Sequence, residues 1–143
     1  MTAPNFKAIR EEIGALLGAV TDLQAAYDYR PVQLHGISPV VWVEDLGFRG
    51  YLPAARYGQF DAAYAVVVAV NLSSHGAQSG ADVFDDARQA VVSKITALDV
   101  DYTNFEALQI PEGEFAPTRA DLIDGVQYLT QRIPVLALDV TCS

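Results

Sequence analysis

The side chains of this 143-residue sequence with the types and spacing for chemistry are few and scattered. Ser73, Ser74 and His75 are adjacent and carry the hydroxyls and imidazole of a nucleophile with its general base. Sequence neighbours rarely bring Oγ and a ring nitrogen into line, however, and the G-x-S-x-G elbow that exposes a nucleophilic serine is absent. The three read as loop residues. A metal needs converging ligands, but His35 and His75 stand far apart with no second ligand at helical or hairpin spacing. The single cysteine, Cys142, cannot build a thiolate cluster, and no positive neighbours mark it as reactive. Asp99-x-Asp101 and Glu112-x-Glu114 offer oxygens to a divalent cation, yet the full ligand ladder of an EF-hand loop is missing, so they read as solvated loop acids. Neither a P-loop nor a G-x-G-x-x-G cradle for phosphate occurs, and Gly47-Phe48-Arg49-Gly50 reads as a turn. No enzyme activity, metal or cofactor is expected.

The composition agrees with a folded chain of another kind. At 51% hydrophobic and 19% charged residues it is too apolar for disorder, and its length suits one domain with one core. A net charge of −9, from 18 acidic against 9 basic residues, repels a phosphate backbone and disfavours reading nucleic acid through a basic face. One cysteine permits no intrachain disulfide, which fits a reducing or indifferent compartment. Residues 1–7 lack the basic and apolar regions of a secretory leader, and Glu11 and Glu12 argue against a transit peptide. The longest apolar run, Ala62 to Val70, is about half of the ~18 residues that span a bilayer, so no membrane crossing is expected.

These side chains must be positioned by an alternation of helix and strand signals. Phe6, Ile9, Ile13, Leu16, Leu17, Val20 and Leu23 recur at three- and four-residue steps and predict a helix over 5–23, with Asn5 as its N-cap. Gly14 and Gly18 either admit another backbone closely or are simply tolerated on the helix surface, the plainer reading. Arg30-Pro31 and Ser38-Pro39 exclude a helix, and Val40-Val41-Trp42-Val43 predicts a strand over 39–44 that ends at Glu44-Asp45.

From Asp61 to Leu72 the even positions Tyr64, Val66, Val68 and Val70 are bulky and the odd positions Ala63, Ala65 and Ala69 small. The bulky face belongs to the core. The small face suits close packing by a second layer, either a helix of this chain or a neighbouring subunit. Ser73 to Gly80 reads as a polar loop, followed by a helix over 81–98 on Val83, Phe84, Ala87, Val91, Ile95 and Leu98, capped by Ser79 or Asp82. Phe105 to Ile110 reads as a short strand, Pro111 to Pro117 as a loop, and 132–141 as a mostly buried strand with Pro134 at an edge, bulge or start. Residues 120–131 fit a helix or a strand; we favour strand, because Gly125 weakens a helix. The sum is a single α+β domain over 1–143 with a mainly antiparallel sheet and two or more helices.

Between the first two predicted strands, residues 46–60 combine four Gly or Pro positions with Phe48, Arg49, Tyr51, Arg56, Tyr57 and Phe60, which reads as a projecting hairpin. Tyr and Arg supply large contact area and forked donors, so the segment is either an assembly surface or a hairpin whose aromatics fold back on the core. The candidate interface residues are Tyr51, Arg56 and Tyr57 on this hairpin and Ala63, Ala65 and Ala69 on the small strand face.

An N-terminal amphipathic helix, Arg30-Pro31, the segment Ser38-Pro39-Val40-Val41-Trp42-Val43, an aromatic hairpin, the strand Tyr64 to Leu72, an acid-led helix and two closing β segments follow in order. In size and element order the chain resembles the tail terminator (tail completion) proteins of long-tailed bacteriophages, over nearly its whole length and without a diagnostic motif. The resemblance implies an α+β subunit without enzyme activity, assembled in the host cytoplasm as a homo-oligomeric, sixfold ring. Such a ring caps the tail tube, stops its polymerisation, binds the tube protein and docks the head connector or stopper protein at the neck of the virion. A ring is a heterologous interface closed by rotation. A charge of −9 then suits a lumen through which DNA slides without specific binding. Two other readings stay open: another head-completion or connector adaptor, and a small-molecule-binding domain whose pocket gathers residues distant in sequence.

Overall fold

Asn5 starts the first helix as expected: its side chain accepts the Ala8 N–H at 3.1 Å, and α1 runs Phe6–Gly18. The computed structural model describes residues 4–50, 60–113 and 116–141; Tyr51, Arg56, Tyr57, Glu114 and Cys142 lie outside them. The helix stops short of the predicted residue 23, because the Ala19 and Val20 amides turn back to Leu16 and Leu17 in a tight turn. Leu23 still packs against the core, but from that turn, which is why its spacing mimicked another helical step.

Three strands follow. Ala25–Tyr27 forms β1, unforeseen because three residues are too short for a periodicity, and pairs in parallel with the start of β2, Val40–Gly50. The predicted end at Glu44-Asp45 is corrected: Asp45 Oδ1 accepts the Gly47 N–H at 2.7 Å, the register shifts there, and pairing resumes to Gly50. Such a bulge bends a strand without ending it. The third strand, β3, is Phe60–Asn71, antiparallel to β2.

The predicted loop Ser73–Gly80 is helical instead. Asn71 accepts the Ser73 and Ser74 amides at 2.8 and 3.2 Å and opens α2, Leu72–His75, and after Gly76 the chain enters α3, Ala77–Ile95. Ser79 and Asp82 therefore lie inside α3 and cap nothing. Polar residues here face solvent from a helix, a pattern that composition alone does not separate from a loop. Leu98 lies beyond the helix and is fully exposed.

The rest of the sheet comes from β4 (Ala107–Gln109), β5 (Thr118–Ile123) and β6 (Val126–Leu138). Residues 120–131 are two strands joined at Asp124-Gly125, both with positive φ, the backbone that a two-residue hairpin turn demands. The predicted closing strand is the second half of β6. The sheet order is β1-β2-β3-β6-β4 with β5 also on β6, and among the described residues only β1–β2 is parallel, so the fold is α+β. Pro134 sits mid-strand, yet β5 reaches only to Gln131 and β4 only from Leu136, so among the described residues β6 is locally an edge there.

The alternation along β3 sorts the layers. Its bulky positions Tyr64, Val66, Val68 and Val70 meet Ile9, Ile13 and Leu17 of α1 and Phe84, Val91 and Ile95 of α3 in the main core. The helix seats closely because Gly14 faces Asp28, where an added Cβ would lie 2.6 Å from the Asp28 Cβ; Gly18 faces open space. Both helices thus cover one face only.

Candidate functional site

The opposite face of the sheet carries the candidate site. Period-two alternation and the strand registers set its side chains in rows across the sheet. One row is Val40, Ala69, Thr130 and Arg119; the next is Tyr27, Trp42, Val67 and Arg132; the third is Glu44, Ala65 and Pro134. In each row the central strand contributes the small residue and its neighbours the tall ones. A groove follows, with β3 as its floor.

At one end the floor is sealed by the chain itself. Leu34, Val40, Trp42, Val67, Ala69 and Tyr128 form a second, smaller core, covered by Ile37, Tyr27 and the β5–β6 turn region. Burial, aided by the Asp124 charge, pushes the Tyr128 phenol above its ordinary pKa. In the middle an ion pair spans β3: Arg132 Nη1 lies 2.6 Å from Glu44 Oε2, Arg132 Nη2 donates to Glu44 Oε1 at 3.3 Å, and Trp42 Nε1 donates to the same oxygen at 3.0 Å. The fork bridges over Ala65, whose lack of a side chain beyond Cβ leaves the room it needs.

Beside this bridge opens a groove of about 580 Å³ lined by Arg30, Trp42, Val67, Arg119, Thr130 and Arg132 and by Asp121, which accepts the Thr130 hydroxyl at 2.6 Å. Three of the chain's 9 basic side chains thus converge on one groove of a chain with net charge −9. Among the described residues neither Arg30 nor Arg119 takes part in an ion pair. With Arg132 held by Glu44 and Asp121 offsetting one guanidinium, Arg30 and Arg119 leave the groove a small positive excess, and what they can do chemically is hold carboxylates or other anions in forked hydrogen bonds.

The expected interface residues fall in different places. Ala63 is half-buried, Ala65 lies under the Glu44–Arg132 bridge, and Ala69 is wholly buried in the chain's own second core. Tyr51, Arg56 and Tyr57 lie outside the described residues. The base of their hairpin is held by Arg49, whose Nε and Nη2 meet Asp61 Oδ2 at 3.2 and 3.1 Å, while Asp61 Oδ1 accepts the Asp139 N–H at 3.1 Å. Phe48 packs against Phe6 and Phe60 with centroids 5.0 and 5.9 Å apart, yet it and Leu46 stay more than half exposed. Arg30, Arg119, Arg132 and Trp42 went unnoticed as a set, because only the registers show that four separate segments meet.

His75 finds a serine, but not its sequence neighbours: Ser38 Oγ lies 3.3 Å from His75 Nε2 and also accepts the Asn71 N–H at 2.9 Å. With its Ser38 backbone amide donating to Gln24, this arrangement fastens the 36–39 turn to the end of β3. Among the described residues no carboxylate bonds to His75 to orient it as a base. No three potential metal ligands gather among the described residues, and no helix there is long and apolar enough to cross a membrane. No protein-family model matches the chain, and no curated protein matches its sequence.

Proposed function

We propose that the chain is a structural virion subunit without enzyme activity, a tail terminator whose copies form a sixfold ring on the end of a tail tube and present a docking surface to the head connector. The observation that carries the reading is the ribbon at the base of the 46–60 hairpin. There Leu46 and Phe48 remain 56% and 59% exposed on a paired, bulged strand that α1 covers only in part. Large apolar side chains left in solvent on a paired strand are what an association surface supplies. In this reading the tube protein and the connector are the further partners, and DNA passes through the lumen without specific contacts.

Native mass spectrometry over a concentration series, with negative-stain imaging, tests it. A sixfold ring that binds tube ends is the expected result. A chain that stays monomeric both alone and in the presence of tube ends overturns it.

A further inference from the structure

We infer that the arginine-lined groove receives the acidic Asp82–Asp86 stretch of α3 from a second copy of this chain. The inference rests on the ring reading above and names the contact that would build the ring. Charge is the first argument. Arg30 and Arg119 in the groove lack an ion-pair partner among the described residues. So do Asp82 and Asp86, exposed on α3, whereas their neighbour Asp85 holds Arg88 at 2.7 Å. An anionic chain whose groove holds the small positive excess of Arg30 and Arg119 thus carries the complement of that groove on its own surface.

Position is the second argument. α3 packs on the bulky face of β3 through Phe84, Val91 and Ile95, and the groove opens on the other face through Val67 and Trp42. The two complementary surfaces therefore point in opposite directions, and a contact between them cannot be two-fold symmetric. It must run head to tail, and a head-to-tail contact closes into a ring or grows into a filament.

Charge reversal tests the contact, read by sedimentation and native mass spectrometry, with circular dichroism to verify folding. Arg119→Glu and Asp86→Arg each alter an exposed side chain, and Arg30→Glu is the alternative groove variant. Each alone is expected to weaken assembly by about tenfold or more, since like charges then face each other across the interface. Mixing the Arg119→Glu and Asp86→Arg proteins should restore it, because each reversed surface finds its complement only on the other variant. The restored rings would alternate and so hold an even number of subunits. Wild-type assembly should also weaken as salt rises from about 0.05 to 0.5 M. Single variants that assemble like wild type overturn the groove contact and leave the ring reading standing. Variants that fail alone and are not rescued by mixing overturn α3 as the occupant. A wild-type chain that is monomeric throughout overturns both.

Discussion

The two faces of the central strand solve different problems with adjacent residues. Val66 faces α1 and α3 and is entirely shut from water; Val67, one residue on and nearly as buried, belongs to the second core and lines the floor of the groove between Trp42 and Arg132. The helix-covered face is continuous and apolar, so what it contributes is stability. The opposite face is a patchwork of a small sealed core, a bridged ion pair and an open groove, so its polar groups are still able to meet another molecule. The lesson is that a strand's small side chains need not mark where a partner's backbone enters. Here they set the depth at which taller neighbours can reach over it.

The widest gap between the faces should appear with one substitution placed on each. Val66→Asp buries an unpaired carboxylate in the main core and is expected to unfold the chain, a loss above about 4 kcal/mol, whereas Val67→Asp, also buried but beside the Arg132 guanidinium, should cost less in urea titrations. Equal losses would erase the distinction.

Alkali probes the covered face next. Burial, with the Asp45 charge, pushes the Tyr64 phenol up to about 12 although Arg10 opposes the shift. Because the folded pKa lies above the unfolded one, the native state holds the proton more tightly. This contribution is complete below about pH 10 and drains away as pH rises through 12, on the order of 2 kcal/mol in all. Tyr64→Phe should remove most of that decline and leave a smaller slope from Tyr102 and Tyr128, whose phenols are also raised.

The seating of the helix layer gives a smaller effect of either sign. Gly14→Ala drives a methyl into Asp28 and should cost about 1–3 kcal/mol, while Gly18→Ala, with open space before it, should gain up to about 1 kcal/mol from helix propensity. The least effect belongs to the uncovered face. Glu44→Gln breaks a bridge whose arginine is more than half exposed and should change stability by no more than about 1 kcal/mol, with reduced sensitivity to salt.

Much of the covered face was legible from spacing alone. Ile9, Ile13 and Leu17, the even positions of β3, and Phe84, Val91 and Ile95 are the core because a helix of period 3.6 and a strand of period two leave visible stripes. The opposite face was not, since its content is a matter of register. Arg119 meets Thr130 only through the Asp124-Gly125 turn, and Arg132 meets Glu44 only across a strand that lies between them in the sheet. The turn itself carried a readable Asp-Gly signal that would have split residues 120–131 into a hairpin. β1 and the long-range parallel pairing it makes carry no comparable local mark.

One detail of β6 bears on how the chain behaves in a crowded solution. The strand hosts β5 and β4 end to end on the same side, and between them residues 132–135 have no strand partner there among the described residues. Pro134 has no N–H to offer an extended segment that would pair there, and Arg132 beside it is charged and more than half exposed. An imino acid at this interrupted margin thus removes one of the backbone donors that a passing extended chain would use to pair there.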